Sequence, residues 1–96
     1  MLTSKQRAYL RGLANTMETI FQVGKGGVNN ALIAQVDDAL RVRELIKVRV
    51  LETSPESVKE VAQAVAAGAK ADVVQVIGSR FVLFRRNPKE PKIELI

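Results

Sequence analysis

Val23-Gly24-Lys25-Gly26-Gly27-Val28-Asn29-Asn30 is the stretch on which the reading of this chain turns, because it ends a β-like run and opens an amphipathic helix. Glycine admits positive φ and places no side chain in the way, so another polymer can lie directly against the main chain. The first N–H groups of the following helix have no intrahelical acceptor and stand at the positive end of the macrodipole. Loop and helix together therefore offer donors to an anion. Lys25 adds a mobile cation between the glycines.

Upstream of the loop, Thr19 to Val23 is rich in β-branched and aromatic residues and reads as the first strand. Before it, Thr3-Ser4-Lys5-Gln6 fits a capping box and starts a helix that runs to about Ala14, with Ala8, Leu10, Leu13 and Ala14 as its apolar stripe. Lys5, Arg7 and Arg11 sit on that helix with no acidic residue before Glu18. Arg7 and Arg11 are like charges at i and i+4, and Lys5 lies at the unfavourable end of the dipole, so helix formation alone does not ask for them.

Downstream, Asn29 caps a second helix over Asn30 to Val42, buried through Leu32, Ile33, Val36, Ala39 and Leu40. Arg41 and Arg43 close it, where cations offset the dipole, and the adjacent Asp37 and Asp38 point apart as solvated or helix-end charge. Leu45 to Leu51 is the second strand, with Ile46, Val48 and Val50 on one face and Lys47 and Arg49 on the other. Ser54-Pro55-Glu56 predicts the start of a third helix with Val58, Val61, Ala62 and Val65 buried and Gly68 at its end. Val73 to Ile77 and Phe81 to Arg85 are strands joined by Gly78-Ser79, a two-residue hairpin signal. Both are apolar on both faces, which asks for cover on each side of the sheet, the first helix supplying the second cover. Asn87 to Ile96 reads as an irregular tail.

The order αβαβαββ predicts a single α/β domain over residues 1–96 with a four-stranded mixed sheet, the first three strands parallel and the last antiparallel. The glycine loop then leaves the carboxyl end of the first strand, the edge where open α/β sheets bind ligands. Arg49 and Arg80 fall toward that edge, as do Lys5 and Arg7 if the first helix runs antiparallel to the strand it feeds, while Arg85 and Arg86 fall at the far edge. The expected surface is Gly24, Lys25, Gly26, Gly27 and Asn29 ringed by Lys5, Arg7, Arg49 and Arg80, with Arg11 extending it.

Composition narrows the chemistry. Fifteen Lys and Arg against ten Asp and Glu give a net charge of +5, which favours a polyanionic partner. With neither His nor Cys, triads, zinc sites, disulfides and thiolate nucleophiles are excluded, so no catalytic residue, metal or cofactor is expected. No apolar run reaches transmembrane length, and a cytoplasmic monomer without a small-molecule substrate is expected. Gly-x-x-Gly is the spacing by which KH-type domains clamp the backbone of single-stranded nucleic acid. A dinucleotide fingerprint lacks its third glycine here, and Phe81-Val82-x-Phe84 lacks the glycine-aromatic half of an RRM stacking motif. With one Tyr and no Trp, contacts should go mainly to phosphate and sugar. The alternative is a basic module that docks on a ribosomal or other acidic protein without clamping RNA.

Four motifs in order carry a family resemblance: Leu10-Arg11-Gly12-Leu13-Ala14, Val23-Gly24-Lys25-Gly26-Gly27, Glu44-Leu45-Ile46-Lys47-Val48, and Val74-Gln75-Val76-Ile77-Gly78 entering a hairpin closed by Val82-Leu83-Phe84-Arg85. Over nearly its whole length the chain resembles the CRM (chloroplast RNA splicing and ribosome maturation) domain in its free-standing bacterial YhbY-like form. The resemblance implies an RNA-binding α/β domain similar in fold to the C-terminal domain of translation initiation factor three, with Gly24, Lys25, Gly26 and Gly27 at the RNA surface. It implies association of bacterial members with large ribosomal subunit precursors, and of plant relatives with group II intron splicing. The chain departs from the family pattern at Asn15 and Thr19-Ile20, where His and Pro are frequent, and at Phe84, where Tyr is common.

Overall fold

In the computed structural model, which describes residues 2–95, the elements are α1 (Ser4–Ala14), β1 (Phe21–Val23), α2 (Asn30–Arg43), β2 (Leu45–Val50), α3 (Val58–Ala69), β3 (Asp72–Ile77) and β4 (Arg80–Phe84). The expected order αβαβαββ is the observed one. The four-stranded sheet has spatial order β1-β2-β4-β3, with β1 parallel to β2 and β4 antiparallel to both neighbours. β1, β2 and β3 therefore run one way and β4 returns between β2 and β3. Gly78, at φ +58°, opens the two-residue turn that makes the return.

The alternation along β2 divides the core. Ile46, Val48 and Val50 join Phe81 and Leu83 under α2 and α3, which contribute Val36, Leu40, Val61 and Val65. On the other face, Leu45, Val74, Val82 and Phe84 are covered by Leu2, Leu10 and Ala14, so α1 is the second cover that the two-faced apolar strands required. Its stripe is narrower than expected, since Ala8 and Leu13 are exposed.

Local chemistry moves several boundaries. α1 has the expected capping box, with Thr3 Oγ1 accepting from Gln6 N and Gln6 Oε1 accepting from Thr3 N. The start of α3 differs from Ser54-Pro55-Glu56: Ser54 Oγ is engaged with the N–H and C=O of Glu56 in a tight turn. A second capping box, Ser57 with Glu60, begins the helix at Val58, because it satisfies two orphan donors reciprocally where Ser54 would satisfy one. Gly68 lies inside α3, and the left-handed position is Lys70, at φ +55°. What Gly68 provides is proximity: a Cβ there would sit 2.6 Å from Ile33 Cδ1 on α2. Arg43 lengthens α2, β1 is shortened to Phe21–Val23, and β4 begins one residue early, at Arg80.

Asp37 is not merely solvated. It accepts from Arg85 Nη1 at 2.6 Å and pairs with Arg41 at 2.7 Å, and Arg85 also donates to the carbonyls of Asp37 and Ala69. The hydrogen bond from Arg85 holds the Asp37 carboxyl below the usual range. Glu44, at φ +64°, is fully buried, and its carboxylate accepts the N–H groups of Asn87 (2.6 Å), Lys92 (2.6 Å) and Ile93 (2.7 Å). The irregular tail is thereby tied to the end of α2, with Ile93 and Leu95 packed on the α1 side of the sheet. Among the described residues no helix is long and apolar enough to cross a membrane.

Candidate nucleic-acid interface

The glycine turn is built by backbone and braced on one side only. Val23 ends β1, and the N–H of Gly27 donates to the carbonyl of Gly24 at 2.9 Å, closing a tight turn with Lys25 and Gly26 at its exposed tip. Gly27 is buried at φ +62°, and an added Cβ would stand 2.5 Å from Glu56 Oε1 and 3.1 Å from Pro55 Cγ. Gly24 is half-buried against Thr53 and Leu51. Gly27 is therefore explained by the fold, whereas Gly24, where a Cβ would make ordinary contacts at 3.4 and 3.5 Å, and the exposed Gly26 are not demanded by it. At Gly26 the surroundings are the more open: its φ is not positive, and a Cβ would meet only Asn29 Nδ2, at an ordinary 3.7 Å. A bare position that neither backbone nor packing demands leaves room for close approach from outside.

Asn29 Oδ1 accepts from Leu32 N at 2.8 Å, so the residue caps α2. The N–H groups of Asn30 and Ala31, the first two in the helix, have no intrahelical acceptor and stand beside the turn. Parallel pairing puts Val23 opposite Val50, so the turn leaves the same sheet edge at which β2 ends and β4 begins.

At that edge Gln22, Arg49 and Arg80 lie in one cross-strand row. Directly opposed residues on antiparallel strands hold their Cβ atoms about 5 Å apart, and like charges there are destabilising. Both arginines are exposed, and among the described residues neither forms an ion pair. Lys47, on the same face, donates to the carbonyl of Met17 at 3.2 Å and borders an open depression with Glu18, Thr19 and Arg80. Lys47 was not among the expected site residues, although its alternation with Arg49 was the signal that placed it on this face.

Lys25, Arg49 and Arg80 thus share the loop edge, as expected. Arg7 does not: it borders a depression with Asp72, Val73 and the Ala66–Ala67 turn of α3, at the start of β3. β3 rises about 3.3 Å per residue, so its start is roughly 17 Å from the loop edge. Lys5, in the same first turn of α1, shares that end, and Arg11 is exposed one turn further on. The apolar patch of Leu45, Val74, Val82 and Phe84 decides where α1 sits, and it lies away from the loop edge.

A probable RNA-binding protein, YqeI, of Bacillus subtilis is 46% identical to this chain over 95 residues, covering 99% of both chains. An RNA-binding protein of Haemophilus influenzae is 35% identical over 94 residues, covering 98% of this chain and 94% of its own length. The solution structure of the hypothetical protein SAV1595 from Staphylococcus aureus superposes with a TM-score of 0.83 at 47% identity, covering all of both chains. The family model for the CRS1 / YhbY (CRM) domain matches residues 2–85, and the chain belongs to that family.

Proposed function

We propose that this chain is a non-enzymatic RNA-binding protein that holds sugar-phosphate backbone against the Lys25–Gly26 tip, with Arg49 and Arg80 neutralising adjacent phosphates. The observation that carries this reading is the pair of opposed arginines, without an ion-pair partner among the described residues, beside a bare turn, an arrangement that costs the free protein stability and that a polyanion relieves. The open N–H groups at the start of α2 add donors of the right polarity. Lys47 extends the cationic row. Relatives named as RNA-binding proteins support the class of partner. The further step, that the RNA is ribosomal RNA of large-subunit precursors, rests on the family resemblance.

The test is Lys25→Asp with Gly26→Asp. Circular dichroism and melting temperature should stay nearly unchanged, since both side chains would project from an exposed tip, while RNA affinity falls at least tenfold. Equal RNA binding by the folded double variant refutes the clamp. With about three phosphates neutralised on a single strand, the logarithm of affinity should fall with that of salt at a slope near −2, at roughly 0.7 per phosphate. In cells, crosslinked RNA should be enriched in precursors of the large-subunit ribosomal RNA.

A further inference from the structure

At the edge of the sheet opposite the glycine turn, the tail and the end of α2 enclose a concavity of about 260 Å³. Its lining joins the exposed ring of Pro88, next to the buried Leu40, to a rim of the exposed Arg41, Arg86 and Lys89, with the half-buried Arg85 beside them. The walls are fixed. Arg85 commits three of its five N–H donors to Asp37 and Ala69, and Arg41 is oriented by Asp37 and Asp38 through two of its five. Asn87 holds the turn from three directions: its N–H donates to Glu44, its Nδ2 donates to the Arg41 carbonyl, and its Oδ1 accepts from the N–H groups of Lys89 and Glu90. Of the four cations at this site, Arg41 and Arg85 are paired with Asp37 and Asp38 and Arg86 lies near the buried Glu44, while among the described residues neither Arg86 nor Lys89 forms an ion pair.

We propose that this concavity binds a single nucleotide unit, a phosphate carrying a planar base. The rim matches a phosphate, and a guanidinium plane such as that of Arg86 stacks on a base. The accessible ring of Pro88 suits a ring face and is left unused by a bare anion or a carboxylate side chain. The volume lies just under the roughly 300–1,000 Å³ of pockets for drug-sized ligands, which suits one nucleotide rather than a longer segment. The unit can come from an unpaired nucleotide of bound RNA or from a free nucleotide. The RNA source rests on the function proposed above, and the free source does not.

The experiment is amide chemical-shift mapping of the whole chain with adenosine monophosphate, inorganic phosphate and a five-nucleotide RNA. Adenosine monophosphate at millimolar concentration should shift the amides of Arg86, Asn87 and Lys89 and bind at least tenfold more tightly than phosphate. Arg86→Gln with Lys89→Gln should weaken it at least tenfold, while the amides of Lys92 and Ile93 report an intact tail. Lys25→Asp with Gly26→Asp should leave it unchanged, so failure of the glycine clamp and failure of this pocket are separately visible. Shifts of the same amides by the RNA assign the RNA source, and shifts by the mononucleotide alone assign the free one. No shift with adenosine monophosphate, or phosphate binding equally well, overturns the proposal.

Discussion

Replacing Glu44 by Gln tests how the end of α2 holds the tail. The carboxylate accepts two N–H groups on Oε1 (Lys92 and Ile93) and one on Oε2 (Asn87), all at 2.6–2.7 Å. A glutamine can keep its oxygen on the first pair, but its amide then points a donor at the Asn87 N–H. That leaves a buried donor unpaired, at about 1–3 kcal/mol, and converts two charge-assisted bonds to neutral ones, at about 1 kcal/mol each. Removing a buried charge offsets part of this. The balance can be read from the carboxyl itself: burial pushes its pKa up, yet the three N–H groups and nearby Arg86 hold it below the ordinary range. The folded protein therefore favours the anion, and a net loss of about 2–3 kcal/mol is expected, against a total on the order of 5–14 kcal/mol for a chain of this length. In thermal melts that is about 10–20 °C. Because the folded pKa is the lower one, the stabilisation is present above about pH 4.3 and is lost as pH falls through the folded value, so the acid-side decline of stability should be shallower in the variant. Urea unfolding across pH and hydrogen exchange at Asn87, Lys92 and Ile93 measure both effects. A loss below about 1 kcal/mol with those three amides still protected would refute the reasoning.

Gly26→Ala should leave stability unchanged or raise it by up to about 1 kcal/mol while weakening RNA binding, because its backbone admits alanine and only an outside chain needs the space. Gly27→Ala should instead cost about 1–3 kcal/mol, from positive φ and the clash with Glu56 and Pro55; calorimetry and RNA anisotropy on the two variants separate fold from contact. Gly68→Ala should destabilise by about 1 kcal/mol as overpacking against Ile33 exceeds the gain in helix propensity, and Ile33→Val, which removes the clashing Cδ1, should restore it in a double-mutant cycle.

The element order, the loop and the direction of the strands were legible because they rest on local chemistry: period-two alternation at Ile46 to Val50, Asn29 as a cap, glycines at a strand end. Ser54 misled because two serines compete for one helix start, and only the glutamate three residues after Ser57 decides between them. Gly68 misled because close approach of two helices and a left-handed cap ask for the same residue. The placement of Arg7 depended on where α1 docks, which is set by four residues from three strands and cannot be read from α1 itself. Asp37 looked like an ordinary helix charge, and Glu44 stood only as part of a motif, because the partners Arg85 of the one and Asn87, Lys92 and Ile93 of the other are 48 and 43 to 49 positions away.

The strand order has a consequence for the life of the chain on the ribosome that makes it. The last strand to be synthesised occupies an interior lane of the sheet, so until residue 84 has emerged, β1 with β2 and β3 by itself share no ladder. Synthesis proceeds at about 5–20 residues per second, and throughout it the nascent chain carries two open edges that only its final hairpin can close. Truncation anywhere before that hairpin should yield not a smaller protein but an aggregation-prone one.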